Sequence, residues 1–217
     1  MRKTIQTSVI NALRNAIPGA NKHRKYKSYG EMCYFKSSAM QYEDEDVWQH
    51  HLNQINKAEK VSVDSVELSG LSFGSNQSQV KQYFGKPKYA YKLSKTRSHT
   101  IYYYYSNKPE TGSFTTELHF YNDYLFMIKQ LVEDGCASRF NWLNLIRKKF
   151  QVDSLDSKTV LADPYGRVLH VIDTVVTEIR FIDSAFLEAY TEFILNEKSN
   201  RVEAKTAHLI TEWAQLA

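Results

Sequence analysis

Leu71-Ser72-Phe73-Gly74-Ser75-Asn76-Gln77-Ser78-Gln79-Val80, closed a few residues on by Phe84-Gly85-Lys86-Pro87, is the stretch on which the reading of the fold turns. Gly74-Ser75-Asn76 offers a turn followed by N-cap residues, and Val80, Tyr83 and Phe84 recur at helical intervals, so the spacing predicts a short amphipathic helix over 76–84. Gly85 and Pro87 stop it, the glycine by accepting a positive φ and the proline by lacking an amide hydrogen.

Working downstream, Tyr89-Ala90-Tyr91, Ile101 to Tyr105, Phe114 to Tyr121 and Tyr124 to Leu131 are rich in aromatic and β-branched residues and are separated by turn formers. They read as an antiparallel meander. In the third run Phe114, Thr116, Leu118 and Phe120 share one face and Thr115, Glu117, His119 and Tyr121 the other, the alternation expected of a sheet covered on one side. Asn122-Asp123 is a tight hairpin signal.

Together with Ile101-Tyr102-Tyr103-Tyr104 and Leu118-His119-Phe120, the quoted helix resembles the SmpA/OmlA (BamE-like) and β-lactamase-inhibitor-like group over residues 68–131. In that group a glycine turn and a helix ending in Gly-x-Pro precede a Tyr-rich strand. The resemblance implies a helix-plus-sheet module that binds other proteins and has no catalytic residues to carry over. Members of the group are mostly exported or lipid-anchored, whereas no lipidation cysteine stands near Met1 here.

Past Gly135 the theme recurs. Trp142, Leu143, Ile146 and Phe150 predict a second amphipathic helix, and Thr159–Ala162, Arg167–Ile172 and Val175–Ile182 predict strands, with Asp163-Pro164-Tyr165-Gly166 as a turn. The fold class expected is α+β: a short helix followed by a meander, duplicated in degenerate form and flanked by N- and C-terminal helices. The units are an N-terminal segment 1–60, a BamE-like module 61–132, and a second helix-plus-strands unit 135–217 with two closing helices, one opened by Ser184 and one by Asn200.

Upstream, charge is unevenly placed. Arg2, Lys3, Arg14, Lys22, Arg24, Lys25 and Lys27 precede residue 31 with no acidic residue among them, although the whole chain carries only +4. Ile5, Val9, Leu13, Ala16 and Ile17 form the apolar face of a basic amphipathic helix that either packs on its own domain or lies on an anionic membrane with those seven cations as contacts; a targeting segment is the third reading. Met32–Lys36 reads as a short strand. Glu43 to Asp46 load the first turn of a helix carrying Val47, Trp48, His51, Leu52 and Ile55. Asp46 and His50 are four apart, but no third ligand is fixed by spacing and no metal is expected.

No run approaches a membrane span, and two distant cysteines, Cys33 and Cys136, make neither a disulfide framework nor a zinc pattern, so a cytoplasmic location with optional peripheral membrane contact is expected. Phosphate-loop, dinucleotide, zinc-protease and serine-hydrolase motifs are missing, and no cofactor or catalysis is expected. Cys33 beside His50 or His51 is imaginable as a nucleophile and base, but its apolar run predicts a buried, inert thiol.

Tyrosine is the remaining signal: of fifteen, six lie between Tyr89 and Tyr105. Tyr102, Tyr103, Tyr104 and Tyr105 must alternate across the sheet, so two point away from the helix-covered face. With His119 and Tyr121 they are the candidate partner-binding residues of a non-catalytic interaction or assembly factor, unless the second unit or the terminal helices cover them. The competing class is single-stranded nucleic-acid binding, with the tyrosines stacking on bases and Lys81, Lys86, Lys88, Lys92, Lys95 and Arg97 tracking phosphates.

Overall fold

The computed structural model describes residues 29–67, 71–94, 98–108, 112–132, 136–173 and 176–216, and within its helices the side chains of 29–31, 136–139 and 205–216 are left undescribed. In chain order the elements are α1 (Tyr29–Met40), a 3₁₀ turn (Gln41–Glu43), α2 (Glu45–Lys57), β1 (Glu59–Ser62), α3 (Gln77–Phe84), β2 (Tyr89–Lys92), β3 (His99–Lys108), β4 (Gly112–Tyr121), β5 (Tyr124–Val132), α4 (Cys136–Phe150), β6 (Thr159–Ala162), β7 (Arg167–Asp173), β8 (Thr177–Asp183) and α5 (Ser184–Leu216). The fold is α+β, built on one eight-stranded sheet of order β1-β6-β7-β8-β5-β4-β3-β2. Among the described residues only the β1–β6 pair is parallel.

The deciding stretch folds as its residues dictate. Asn76 caps α3 in a full capping box: its side chain accepts from the Gln79 amide at 2.9 Å, and the Gln79 side chain accepts from the Asn76 amide at 2.8 Å. Gly85 ends the helix at φ 80°, ψ −164°, a conformation open essentially to glycine alone. Asn122 and Asp123, at φ 48° and 66°, make the positive-φ hairpin that joins β4 to β5. The predicted units 61–132 and 135–217 share the sheet: α3 leads into β2–β5, α4 leads into β6–β8, and the two meanders meet antiparallel at β5–β8.

The sheet is covered on both faces. On one, Val80 and Phe84 of α3 and Trp142, Leu143 and Ile146 of α4 pack on Tyr102, Tyr104, Phe114, Leu118, Phe120, Ile128 and Phe181. On the other, Phe35 and Ala39 of α1, Tyr42 of the turn, Trp48 and Ile55 of α2, and Leu187, Tyr190 and Ile194 of α5 pack on Ile101, Tyr103, Phe126, Met127 and Ile182. Each large side chain removed from water in this way contributes about 1.5–3 kcal/mol. A register shift between His119 and Phe120 sets the adjacent Phe126 and Met127 both into this second cluster.

Three expectations are corrected. The sheet is not covered on one side only, because α1, α2 and α5 occupy the face that Glu117 and His119 point to. Met32–Lys36 is helical, since Phe35 and Ala39, four apart, meet the sheet from one side of α1. No break opens at Asn200: Glu197-Lys198-Ser199 contains no glycine or proline, Ser199 bonds back to the Leu195 carbonyl at 3.1 Å, and α5 runs on as one helix. α5 opens at Ser184 as expected, capped by Asp183, which accepts from the Phe186 amide at 3.1 Å. β1 was not foreseen, because a four-residue edge strand has too few positions to show alternation.

Candidate functional site

Strand register places one residue from each of six neighbouring strands on a line across the sheet. Tyr89, Tyr103, Glu117, Lys129, Arg180 and His170 are consecutive cross-strand partners, from β2 to β7, and all face α1, α2 and α5. The centre of this row is charged and buried. Glu117 is 0% exposed. Its carboxylate accepts from Ser38 of α1 at 3.0 Å and from the Tyr42 hydroxyl at 2.8 Å, and lies 3.5 Å from the Lys129 ammonium. Lys129 also donates to the Tyr42 oxygen at 2.9 Å and sits 3.6 Å from Glu178. Glu178 in turn pairs with Arg180, so it lies between two cations that would otherwise face each other across β5–β8. Arg180 reaches up to Gln54 of α2 at 2.8 Å.

Burial pushes the Glu117 carboxyl up, but the Lys129 charge, His119 and the Tyr42 hydrogen bond outweigh it and bring the group down to about 2. Burial, then Glu117, pushes the Tyr42 and Tyr103 hydroxyls well above their ordinary range. Beside the row, Tyr190 of α5, His99 and His119 form a chain: Tyr190 lies 2.5 Å from His99 Nδ1, and His99 Nε2 lies 3.2 Å from His119 Nδ1. His119 Nε2 is 3.5 Å from Glu117 but makes no hydrogen bond, and both His51 ring nitrogens and the Tyr103 hydroxyl are likewise buried without one. Among the described residues no group of three or more His, Cys, Asp or Glu side chains is placed to hold a metal ion.

The predicted contact residues are distributed unevenly over this geometry. Tyr102 and Tyr104 are buried under α3, their hydroxyls on Gln77 and on the Gly85 carbonyl. Tyr103 is buried under α1 against Phe35, ring centroids 5.1 Å apart. Tyr105 is half-buried and donates to Ser113 at 3.1 Å. His119 is buried, and Tyr121 is half-buried against Tyr190. The expected outward-facing tyrosine pair is therefore not found, because helices from both ends of the described chain close the second face. The same burial removes Tyr102, Tyr103 and Tyr104 as stacking platforms for bases. Lys88 and Lys92 flank the edge strand β2, where charge hinders the addition of another strand. Arg2, Lys3, Arg14, Lys22, Arg24, Lys25, Lys27, Lys95 and Arg97 lie outside the described residues.

Sequence reasoning missed Lys129, Glu178, Arg180, Tyr42 and His99. The signal was present: Lys129 interrupts the apolar run of β5 and Arg180 stands inside Ile179-Arg180-Phe181-Ile182. Asp46, weighed as a metal ligand, pairs with Lys198 at 3.0 Å. Cys33, expected to be buried, is an exposed free thiol on the outer side of α1.

Helix α1 also carries exposed apolar side chains. Helix α1 buries Phe35 and Ala39, while Met32, Tyr34 and Met40 are 50%, 50% and 52% exposed. From α1 an aromatic strip runs onto the sheet edge: Tyr34 against Phe35, Phe35 stacked on Tyr89 at 6.0 Å, and Tyr89 stacked on Tyr91 at 6.5 Å. Tyr89 and Tyr91 are half-buried, and Glu43 clips the end of β2 by accepting from the Ser94 amide at 2.6 Å. No family model, curated protein or solved structure matches the chain.

Proposed function

We propose that this chain is a non-catalytic interaction protein that docks a partner protein on the aromatic strip formed by α1 and edge strand β2. The observation that carries the reading is the exposure of Met32, Tyr34 and Met40. Eight large hydrophobic side chains are exposed among the described residues, and three of them fall on this single twelve-residue helix. A helix that buries Phe35 and Ala39 and leaves three large side chains half exposed has surface to give to another molecule. Tyrosine supplies contact area with few rotatable bonds to freeze, and Lys36, Lys88 and Lys92, all exposed, suit a partner groove rimmed by carboxylates. The resemblance to the BamE-like and β-lactamase-inhibitor-like group, whose members bind proteins, supports the same reading.

The test is affinity capture from the native host with the full chain, wild type against Met32→Glu, Tyr34→Glu and Met40→Glu combined. Side chains half in water hold little of the core, so the melting temperature is expected to stay within a few degrees while captured partners disappear. Capture that survives the triple substitution refutes this surface.

A further inference from the structure

We propose that α1 and α2 form an acid-released cap, triggered by protonation of His51 and of the His99–His119 pair. The buried histidines among the described residues are His51, His99, His119 and His170, and all four lie on the face covered by α1, α2 and α5. None of these buried histidines lies on the face under α3 and α4. Histidine protonation therefore acts on one layer of the molecule.

His51 is the most exposed to that effect chemically, although it is buried physically. It sits on the inner side of α2 between Trp48 and Ile55, with neither ring nitrogen hydrogen-bonded. The 3₁₀ turn faces it with the Tyr42 ring, centroids 6.3 Å apart, and its own helix with His50 at 6.4 Å. Burial itself, then the charges of Arg180 on β8, Lys129 on β5 and His119 on β4, hold its protonation well below the ordinary histidine range. The carboxylates that would welcome an imidazolium are already engaged: Glu117 by Ser38, Tyr42 and Lys129, and Glu178 by Lys129 and Arg180.

The His99–His119 contact adds a second constraint. At 3.2 Å it holds one proton between two nitrogens. One added proton can rest near Glu117, but a second would set N–H against N–H, with Tyr190 the partner on the α5 side. His170 is separate: its Nε2 donates to the Ser157 carbonyl at 3.0 Å. The exterior ties of α2, Arg201 to Glu45 and Lys198 to Asp46, join residues on its first turn to α5 and do not touch the histidines.

Hydrogen exchange by mass spectrometry on the full chain tests this, with rates corrected for the intrinsic pH dependence. Between pH 7.5 and 5.0, protection of 45–57 is expected to fall at least tenfold while 77–84 changes less than twofold. His51→Gln is expected to cut the fall to less than threefold, and His50→Gln, on the exposed side, to leave it unchanged. Loss of protection in α2 and α3 together, or a wild-type response in His51→Gln, overturns the proposal. If His51→Gln does not fold, the imidazole of His51 is titrated by NMR in the wild-type chain. Protonation of folded His51 at or above 6.5 overturns the proposal, and retention of the neutral ring until α2 loses protection supports it.

Discussion

Lys129→Met tests whether the buried charges form a working network. The substitution keeps the length of the side chain and removes its charge. Glu117 would keep its bonds from Ser38 and Tyr42 but lose the cation 3.5 Å away, inside a site where it has no contact with water. Two routes give the magnitude. The drop of the Glu117 carboxyl from 4.5 to about 2 is the net of burial against Lys129, His119 and Tyr42 and corresponds, at about 1.36 kcal/mol per pH unit, to roughly 3 kcal/mol for the whole group, with Lys129 the largest favourable cause. That contribution is present above about pH 4.5 and is lost as pH falls toward 2. Independently, stripping one partner from a buried ion pair costs about 3–5 kcal/mol. For a chain of this length the loss reads as a melting point roughly 6–20 °C lower. Urea denaturation at pH 7 measures it directly, and a double-mutant cycle isolates the pair. Glu117→Leu alone leaves Lys129 with Glu178, whereas Glu117→Leu with Lys129→Met removes both charges and is expected to recover about 2 kcal/mol or more relative to Lys129→Met. A cost below about 1 kcal/mol for Lys129→Met, or a double variant no more stable than the single, refutes the reasoning.

Three further outcomes are expected. Gly85→Ala should cost about 1–3 kcal/mol in urea melts: a Cβ there meets nothing within 4 Å, so the whole cost is the positive φ of 80°. Asp163→Ala should cost about 3 kcal/mol, because its carboxylate accepts from the amides of Val66, Tyr165 and Arg167 at 3.0, 2.9 and 3.0 Å and no other described side chain stands in for it; rapid exchange of the Val66 amide is the local readout. Burial depresses the protonation of His51, His99 and His119, so their contribution is full above about pH 6.5 and declines as pH falls below it. A melting temperature equal at pH 7.5 and 5.5 contradicts that sign.

The elements built from local chemistry were legible. The Asn76–Gln79 capping box, the Gly85 stop and the Asn122-Asp123 hairpin each depend on residues within a few positions of one another, and each forms as its residue types require. What sequence could not carry was the layer above. Glu117 alternates with Leu118 in the manner of a solvent-facing residue, and only its pairing with Lys129, twelve positions away, and contact with Ser38 and Tyr42, more than seventy away, make it an interior one. The same long-range closure decides Tyr103, one of four consecutive tyrosines that alternation alone could not sort into inner and outer, by roofing it with Phe35. In α1 the error ran the other way: a β-prone Cys-Tyr-Phe run became helix because the sheet below offers room for one strip of side chains four apart.

The charged row also bears on why the fold is single-valued. An apolar underside on α1 and α2 would adhere to the sheet in several registers of similar energy, since apolar contact has little direction. Ser38 to Glu117, Tyr42 to Glu117 and Lys129, and Gln54 to Arg180 each tie a different part of the α1–turn–α2 segment to a different strand, β4, β5 and β8. Sliding that segment by one helical turn would break all of these at once and leave buried charge without partners, a loss larger than the stability of most domains can absorb. The row therefore costs burial free energy relative to an aliphatic one, and in return it fixes where the cap sits. It also places the histidines next to fixed cations, which couples that position to pH.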